Sequence, residues 1–150
     1  MKLRAEEIRG LVPHQGTMCL LDSVEFWDSL RIVCATDQHR SPVNPLAQDG
    51  RLSAVNAIEF AAQAMAVHGA LAAPPRNAPS FGMLLSVRAC RFHCDRLDQV
   101  AGVLHVRASK VAGSQLMLIY EFGLFAGERC LAEGRASVLL SAPASEGARP

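Results

Sequence analysis

The longest apolar segment of the chain covers residues 54–71 and reads AVNAIEFAAQAMAVHGAL. Ser53 is a suitable N-cap for a helix that begins there, and Pro74 and Pro75 would stop it. Apolar residues occupy nearly every side of this helix, so other elements must surround it rather than cover one stripe. A membrane span is the alternative for its length, but the polar residues near its middle argue against that.

Apolar residues elsewhere indicate strands by their alternation or by short continuous runs. The predicted strands lie at residues 19–27, 30–36, 80–94, 100–111, 115–125 and 129–140. Turn-forming residues separate the last four, which can therefore be joined as consecutive hairpins. The final strand alternates between a packed face that begins at Cys130 and a mostly solvated face that begins at Leu131.

These elements, with a short amphipathic helix at residues 4–10, predict an α+β fold. In it, one long antiparallel sheet curls around the central apolar helix. Apolar residues make up 50% of the 150 residues, which is enough for one core. We therefore expect a single domain at residues 1–141 and a flexible, weakly hydrophobic tail at residues 142–150.

Charge and the N-terminal segment narrow the possible partners. The formal net charge is +1 and no run of Lys or Arg occurs, which argues against a nucleic-acid or membrane-surface partner. Two glutamates stand near the N-terminus where a signal peptide needs its apolar run. The sequence therefore predicts a cytoplasmic protein.

The cysteines give no sign of a disulfide framework or a metal site. The chain has five, an odd number, with no C-x-x-C pair, which favours reduced thiols. His93 and Cys94 lie near Cys90, but no second ligand pair has the spacing of a zinc site. We predict no metal and no cofactor.

Polar residues on the apolar helix are the strongest indication of function. At about 100° per residue, Asn56, Glu59 and Gln63 share a face about 60° wide. His68 lies on the opposite side from Glu59 and is expected to face the sheet or cap the helix end. The polar face fits either a buried hydrogen-bond network that fixes the helix or a catalytic site.

Glu59 is the residue of this face with the clearest chemistry. An enclosed carboxyl group resists ionisation, because ionising it costs hydration. Such a group can act as a general acid, or as a base near neutral pH. Asn56 and Gln63 offer neutral amides that can orient the carboxyl group or a bound thioester. Loops as long as the one at residues 37–50 are usually functional when they lie inside a compact domain. This loop directly precedes the helix.

Two segments carry a family resemblance: VPHQGTMCLLDSV at residues 12–24 and AIEFAAQAMA at residues 57–66. In their order and spacing they resemble the hotdog-fold 3-hydroxyacyl-acyl-carrier-protein dehydratases, in the divergent branch associated with aryl polyene biosynthesis. The resemblance extends from about residue 8 to residue 140. It implies a hotdog domain that dehydrates a 3-hydroxyacyl thioester to a 2-enoyl thioester in fatty-acid or polyene-type biosynthesis.

The resemblance also assigns roles to individual residues. Glu59 matches the catalytic carboxylate of the family, and Gln63 matches the glutamine four residues after it. The family's catalytic histidine, supplied across a dimer interface, corresponds to Pro45, with Asn44 as the nearest polar residue. This position therefore departs from the family pattern. An asparagine side chain is no general base, so it cannot replace the histidine in removing a proton. His39 lies further upstream in the same loop.

Two further positions complete the predicted site. Ala54 stands where the family has a glycine whose backbone N–H polarises the thioester carbonyl, a role that needs no particular side chain. His14 matches a histidine that family members often show, and it is either a catalytic residue or a residue that orders its loop. The base of the reaction can then be His14, His39, a water held by Asn44, or Glu59 itself.

Three functions follow from these observations. The first is the dehydratase, and the second is a thioesterase on the same fold. The third is an acyl-binding subunit that pairs with a complete hotdog dehydratase and has little activity of its own. In each case the expected partner is an acyl carrier protein or a coenzyme A thioester. Because a curled sheet has edges to cover, a homodimer or a hetero-oligomer with a hotdog partner is expected.

Overall fold

A computed structural model describes residues 3–10, 18–72, 82–114 and 116–140. Its elements are β1 (Leu3–Arg4), α1 (Ala5–Arg9), β2 (Ser23–Trp27), β3 (Arg31–Thr36), α2 (Ala57–Ala72), β4 (Gly82–Phe92), β5 (Leu104–Gly113), β6 (Met117–Ala126) and β7 (Arg129–Leu140). Short 3-10 turns occur at Gln38–Arg40 and Ala54–Asn56. The predicted tail at 142–150 lies outside the described residues.

All seven strands form one antiparallel sheet in the order β1-β2-β3-β5-β6-β7-β4. Helix α2 packs against β3, β5, β6 and β4 on one face of this sheet. The α+β fold with one sheet around one main helix is therefore confirmed. Strand β1 was not predicted, because two residues carry no periodic signal.

The order of the sheet differs from the prediction at β4. Strands β5, β6 and β7 form consecutive hairpins, but β4 pairs with β7 at the far edge of the sheet. Strand β5 instead pairs with β3. The predicted hairpin between β4 and β5 is wrong. In the chain, α2 follows β3 and crosses the face of the sheet, so that β4 begins at the edge opposite to β1.

The core lies between α2 and the inner face of the sheet. Successive strand residues point to opposite faces, so every second residue of a strand reaches the helix. Fully buried examples from the strands are Ile32, Cys34, Val106, Leu104, Tyr120 and Leu124. The helix meets them with Phe60, Val67 and the alanines Ala61 and Ala64. Alanines keep the helix axis close to the sheet, which favours dense packing.

A β-bulge changes the alternation predicted for β7. Leu124 pairs with Ala132, but Phe125 pairs with Cys130, so Leu131 is an extra residue on β7. Leu131 is 0% exposed, whereas the side chain of Cys130 is only half-buried. The predicted faces are therefore reversed at these two positions, because a bulge shifts the strand by one residue. Beyond the bulge the alternation holds, with Ala132 and Ala136 buried.

None of the helices in the described ranges is long and apolar enough to cross a membrane.

Candidate active site on helix α2

The N-terminal end of α2 carries the candidate carboxylate. Ser53 accepts a hydrogen bond from the Val55 N–H through its hydroxyl oxygen at 3.3 Å, which confirms it as the N-cap. The turn Ala54–Asn56 leads directly into α2, and Glu59 lies in the first turn of that helix. Glu59 is half-buried.

Around Glu59 the helix presents a face that is less deeply buried than the rest of its surface. We call it the open face of α2, and it consists of Val55 from the preceding turn and of Ile58, Glu59, Ala62 and Ala66. Val55 is 54% exposed, and the other four are half-buried. Apart from Glu59 the open face is apolar. An apolar surface beside a single carboxylate is suited to a substrate tail or to a protein partner.

Gln63 lies one helical turn after Glu59 but contacts a different part of the chain. Its side chain is 0% exposed. Its carbonyl oxygen accepts a hydrogen bond from the Leu20 N–H at 2.8 Å, and its amide nitrogen donates to the Met18 carbonyl at 2.6 Å. Thr36 donates a further hydrogen bond to the Leu20 carbonyl. These bonds fix the backbone that directly follows residues 11–17.

His68 faces the sheet, as predicted. Its Nε2 lies 2.8 Å from the Asp28 carbonyl and its Nδ1 lies 2.7 Å from the Tyr120 hydroxyl. A carbonyl only accepts hydrogen bonds, so Nε2 carries the proton and Nδ1 accepts from Tyr120. Burial lowers the pKa of His68 below its ordinary value. The imidazole is therefore neutral and ties α2 to β6 and to the turn after β2.

Asn44 holds the loop before the helix in place. Its side-chain nitrogen donates to the Gln38 carbonyl at 2.8 Å, and its side-chain oxygen accepts from the Leu46 N–H at 2.9 Å. The residue is only 6% exposed. Both ends of the amide are thus bonded to the loop backbone, and the adjacent Pro45 is exposed.

His39 in the same loop is enclosed as well. Its Nε2 donates to the Val100 carbonyl at 2.9 Å, and the ring is 1% exposed. The other ring nitrogen is buried and has no hydrogen-bond partner among the described residues. Burial lowers the pKa of His39. A neutral, enclosed imidazole of this kind anchors the loop to the segment before β5.

The remaining predicted site residues lie around the helix start. The backbone N–H of Ala54, predicted to polarise a thioester carbonyl, donates to the Asp95 carbonyl at 2.9 Å, and Ala54 is 3% exposed. Asn56 donates from its side chain to the Ser53 carbonyl at 3.1 Å. His14 lies outside the described residues.

The structure also contains contacts that the sequence did not indicate. Tyr120 binds His68, and Asp95 accepts the Ala54 N–H, although each pair is far apart in the chain. No local motif marks such pairs, since Tyr120 comes from β6 and Asp95 from the segment after β4, both far along the chain from α2. The signal that the sequence did contain was the lone tyrosine in an apolar strand, because a buried hydroxyl usually has a partner.

Comparison with known families identifies the chain. The model of the ApeP-like family, described as ApeP dehydratase, matches residues 6–147. The chain belongs to the ApeP-like dehydratase family. This confirms the resemblance drawn from residues 12–24 and 57–66, and it assigns the chain to the hotdog dehydratases. No curated protein matches the sequence.

Solved structures agree with this assignment. A chain of the dehydratase heterocomplex ApeI:P from Xenorhabdus doucetiae is 26% identical, over 93% of this chain and 91% of that chain, with a TM-score of 0.79. A variant of the thioesterase PA1618 from Pseudomonas aeruginosa is 10% identical over 94% and 96% of the two chains, with a TM-score of 0.66. The thioesterase HI1161 from Haemophilus influenzae is 10% identical over 97% and 95%, with a TM-score of 0.67. The two thioesterases share the fold.

Proposed function

We propose that this ApeP-like protein removes water from a 3-hydroxyacyl thioester on an acyl carrier protein, with Glu59 as the general acid. The observation that carries the proposal is the position of Glu59. It is the single charged residue of α2, and it lies half-buried in an apolar face at the N-terminal end of the helix. Family membership supplies the reaction type.

In this reaction the C3 hydroxyl leaves as water and the C2 proton is removed, so that a C2–C3 double bond forms. Glu59 gives its proton to the leaving hydroxyl. The base must come from another group or from the Glu59 carboxylate itself. His39, His68 and Asn44 are engaged in backbone or side-chain hydrogen bonds that hold the fold, which makes them poor candidates.

A hotdog partner supplies the base in our proposal. Pro45 and Asn44 occupy the place of the catalytic loop histidine that the family resemblance implies, so this chain lacks it there. The open face of α2 leaves room for a partner beside Glu59. Strand β4 is an edge of the described sheet and can pair with a partner strand. The similarity to a chain of a dehydratase heterocomplex supports a hetero-oligomer.

His14 is the second candidate for the base. It lies four residues before Met18, whose carbonyl is bound by Gln63. We propose that Gln63 acts as a positioning residue for the backbone at Met18 and Leu20. A His14→Gln variant that keeps full activity in the presence of a partner would assign the base to the partner.

The experiment is a mass measurement of 3-hydroxyacyl carrier protein after incubation with the protein, alone and with a hotdog dehydratase partner. In the presence of the partner, we expect the carrier-bound substrate to lose one water while its thioester stays intact. Glu59→Gln should slow this step at least about a hundredfold, as expected for loss of a general acid. Glu128→Gln, in the exposed turn between β6 and β7, is the matched control and should retain the full rate.

Two results would contradict the proposal. If Glu59→Gln dehydrates as fast as the natural chain, Glu59 is structural. If free acid and free carrier appear, the protein is a thioesterase. A third result favours the other candidate function, an acyl-binding partner subunit: the partner alone works fully and Glu59→Gln changes nothing in the complex. The replacement of the loop histidine is the observation in favour of that candidate.

A further inference from the structure

Three side chains that are suited to bind a metal meet on the outer face of the sheet, which points away from α2. They are the imidazole of His93, the thiol of Cys130 and the carboxylate of Glu133, and their ligand atoms all lie within 4.8 Å of one another. We propose that they form a binding site for a divalent transition-metal ion of the zinc type. The site does not depend on the proposed function.

The bulge in β7 creates this site. Residues three apart on a regular strand point to opposite faces, so Cys130 and Glu133 would be separated by the sheet. Because Leu131 is the extra residue of the bulge, Cys130 pairs with Phe125 while Glu133 pairs with Gly123. Leu131 turns into the core, and the two ligands lie on the outer face. Bulges often redirect side chains at functional sites.

His93 comes from the chain that leaves β4. Arg91 lies opposite Glu133 in the register of β4 and β7, and His93 follows two residues later on the same side. The His93 N–H donates to the carbonyl of Leu131, the bulged residue, at 2.8 Å. Its ring Nε2 lies 2.8 Å from the Glu133 carboxylate. The backbone bond thus places the imidazole next to the other two ligands.

The ligand set suits zinc. Nitrogen, sulfur and carboxylate oxygen are the three donor types that Zn²⁺ accepts in proteins. In a tetrahedral site with these bonds, ligand atoms are about 3.3–3.6 Å apart, so the side chains would adjust by about 1 Å. The His93 and Glu133 side chains are 41% and 48% exposed, which leaves the fourth position open to water.

Metal binding at this site must release the thiol proton of Cys130. Zn²⁺ binds that sulfur as a thiolate, beside an imidazole nitrogen of His93 and a carboxylate oxygen of Glu133, and the thiol proton passes to solvent. Burial, and then the negative charge of Glu133, raise the pKa of the Cys130 thiol. Two arginines are charged neighbours of the site: Arg91 pairs with Glu133 in the register of β4 and β7, and Arg129 directly precedes Cys130 in the chain. Protons and the metal therefore compete for the same sulfur.

The two other cysteines near His93 do not belong to the site. The thiol of Cys94 is directed at the Leu131 carbonyl at 4.0 Å. The sulfur of Cys90 lies beside Gly134, where a Cβ would approach it to 2.8 Å. The sequence grouped these cysteines with His93 because they are adjacent in the chain. The bulge instead places Cys130 beside His93, although Cys130 is 37 residues further along the chain.

The test uses Co²⁺ as a probe of the reduced, metal-free full-length protein. We expect one Co²⁺ per chain, a sulfur-to-cobalt charge-transfer band, and loss of that band when Zn²⁺ is added. Cys130→Ser should lose the band. Since loss of even an outer partner of a metal ligand lowers affinity about 10–100-fold, His93→Ala and Glu133→Gln should bind at least about tenfold more weakly.

Cys94→Ser is the matched control, because it removes a half-buried thiol next to His93 and should keep the band. A second readout needs no variant: Zn²⁺ should slow alkylation of Cys130, measured by mass spectrometry, more than alkylation of Cys94. The proposal is overturned if the natural chain shows no band and no protection. It is also overturned if Cys130→Ser keeps the band or if Cys94→Ser loses it.

Discussion

The two faces of α2 differ in what their polar residues contact. On the sides covered by the sheet and by the segment before β2, Gln63 and His68 are almost completely buried, and their polar atoms bond to Met18, Leu20, Asp28 and Tyr120. On the open face, Glu59 is half-buried among Ile58, Ala62 and Ala66. One face holds the fold together, and the other is available for chemistry or a partner.

Structural and functional polar residues on a buried helix can be separated by whether their hydrogen bonds are satisfied within the fold. A buried amide or imidazole is tolerated when its hydrogen bonds are satisfied, and here they are satisfied by backbone groups and by the Tyr120 hydroxyl, all far along the chain. We call the buried side of α2, which includes Ala61, Gln63 and His68, the closed face, and changes there should therefore affect the free energy of unfolding. Changes on the open face should affect activity and association instead.

The largest expected effect on folding is that of Gln63→Ala. It leaves the buried Leu20 N–H and the Met18 carbonyl without their partner, so the free energy of unfolding should decrease by about 3 kcal/mol. Urea denaturation at unchanged slope measures this. The exposed Gln99→Ala is the control and should stay within about 0.5 kcal/mol. An equal effect of both changes would contradict the structural role of Gln63.

Tyr120→Phe should have the next largest effect. It removes the hydroxyl that donates to His68, which leaves a buried ring nitrogen without a partner and lowers the free energy of unfolding by about 1–2 kcal/mol. A double-mutant cycle with His68→Leu checks the pair. Its coupling energy should exceed about 0.5 kcal/mol. Additive effects would show that the two residues do not stabilise each other.

Acidification should have a smaller effect, in a defined direction. Burial lowers the pKa of His39 and His68 below the ordinary 6.5. As pH falls through about 6.5, the unfolded chain takes up protons that the folded chain excludes, so the free energy of unfolding decreases. The contribution is full above that pH, and between pH 7 and 6 the loss should stay below about 1 kcal/mol per histidine. Denaturation curves at several pH values measure it, and His68→Leu should give a shallower dependence.

The smallest effect on folding is expected on the open face. Ala62→Gln should change the free energy of unfolding by less than about 0.5 kcal/mol, but it should weaken association with a hotdog partner. Its matched variant is Ala61→Gln on the closed face, where Ala61 is 0% exposed and overpacking costs about 1–3 kcal/mol. Denaturation and size-exclusion chromatography with the partner measure the two properties. Equal destabilisation by both variants would remove the distinction between the faces.

Local patterns were sufficient to predict most elements. The N-cap at Ser53, the apolar helix and the hairpins of β5, β6 and β7 depend on neighbouring residues, which the sequence displays directly. The place of β4 beside β7 was not predictable, since pairing between distant strands depends on how the sheet packs around α2. The inward turn of Leu131 was missed for a similar reason, because a bulge is set by the register of two strands.

The candidate site divides in the same way. The sequence was sufficient to place one carboxylate, Glu59, on an apolar helix and to reveal the resemblance to a dehydratase family. The three-dimensional packing was needed to show that Gln63 and Asn44 bind backbone groups and that Cys130 lies beside His93 and Glu133. The physical reason is that helical and strand periods encode which face a residue takes. The partner it meets there depends on segments that folding brings from far along the chain.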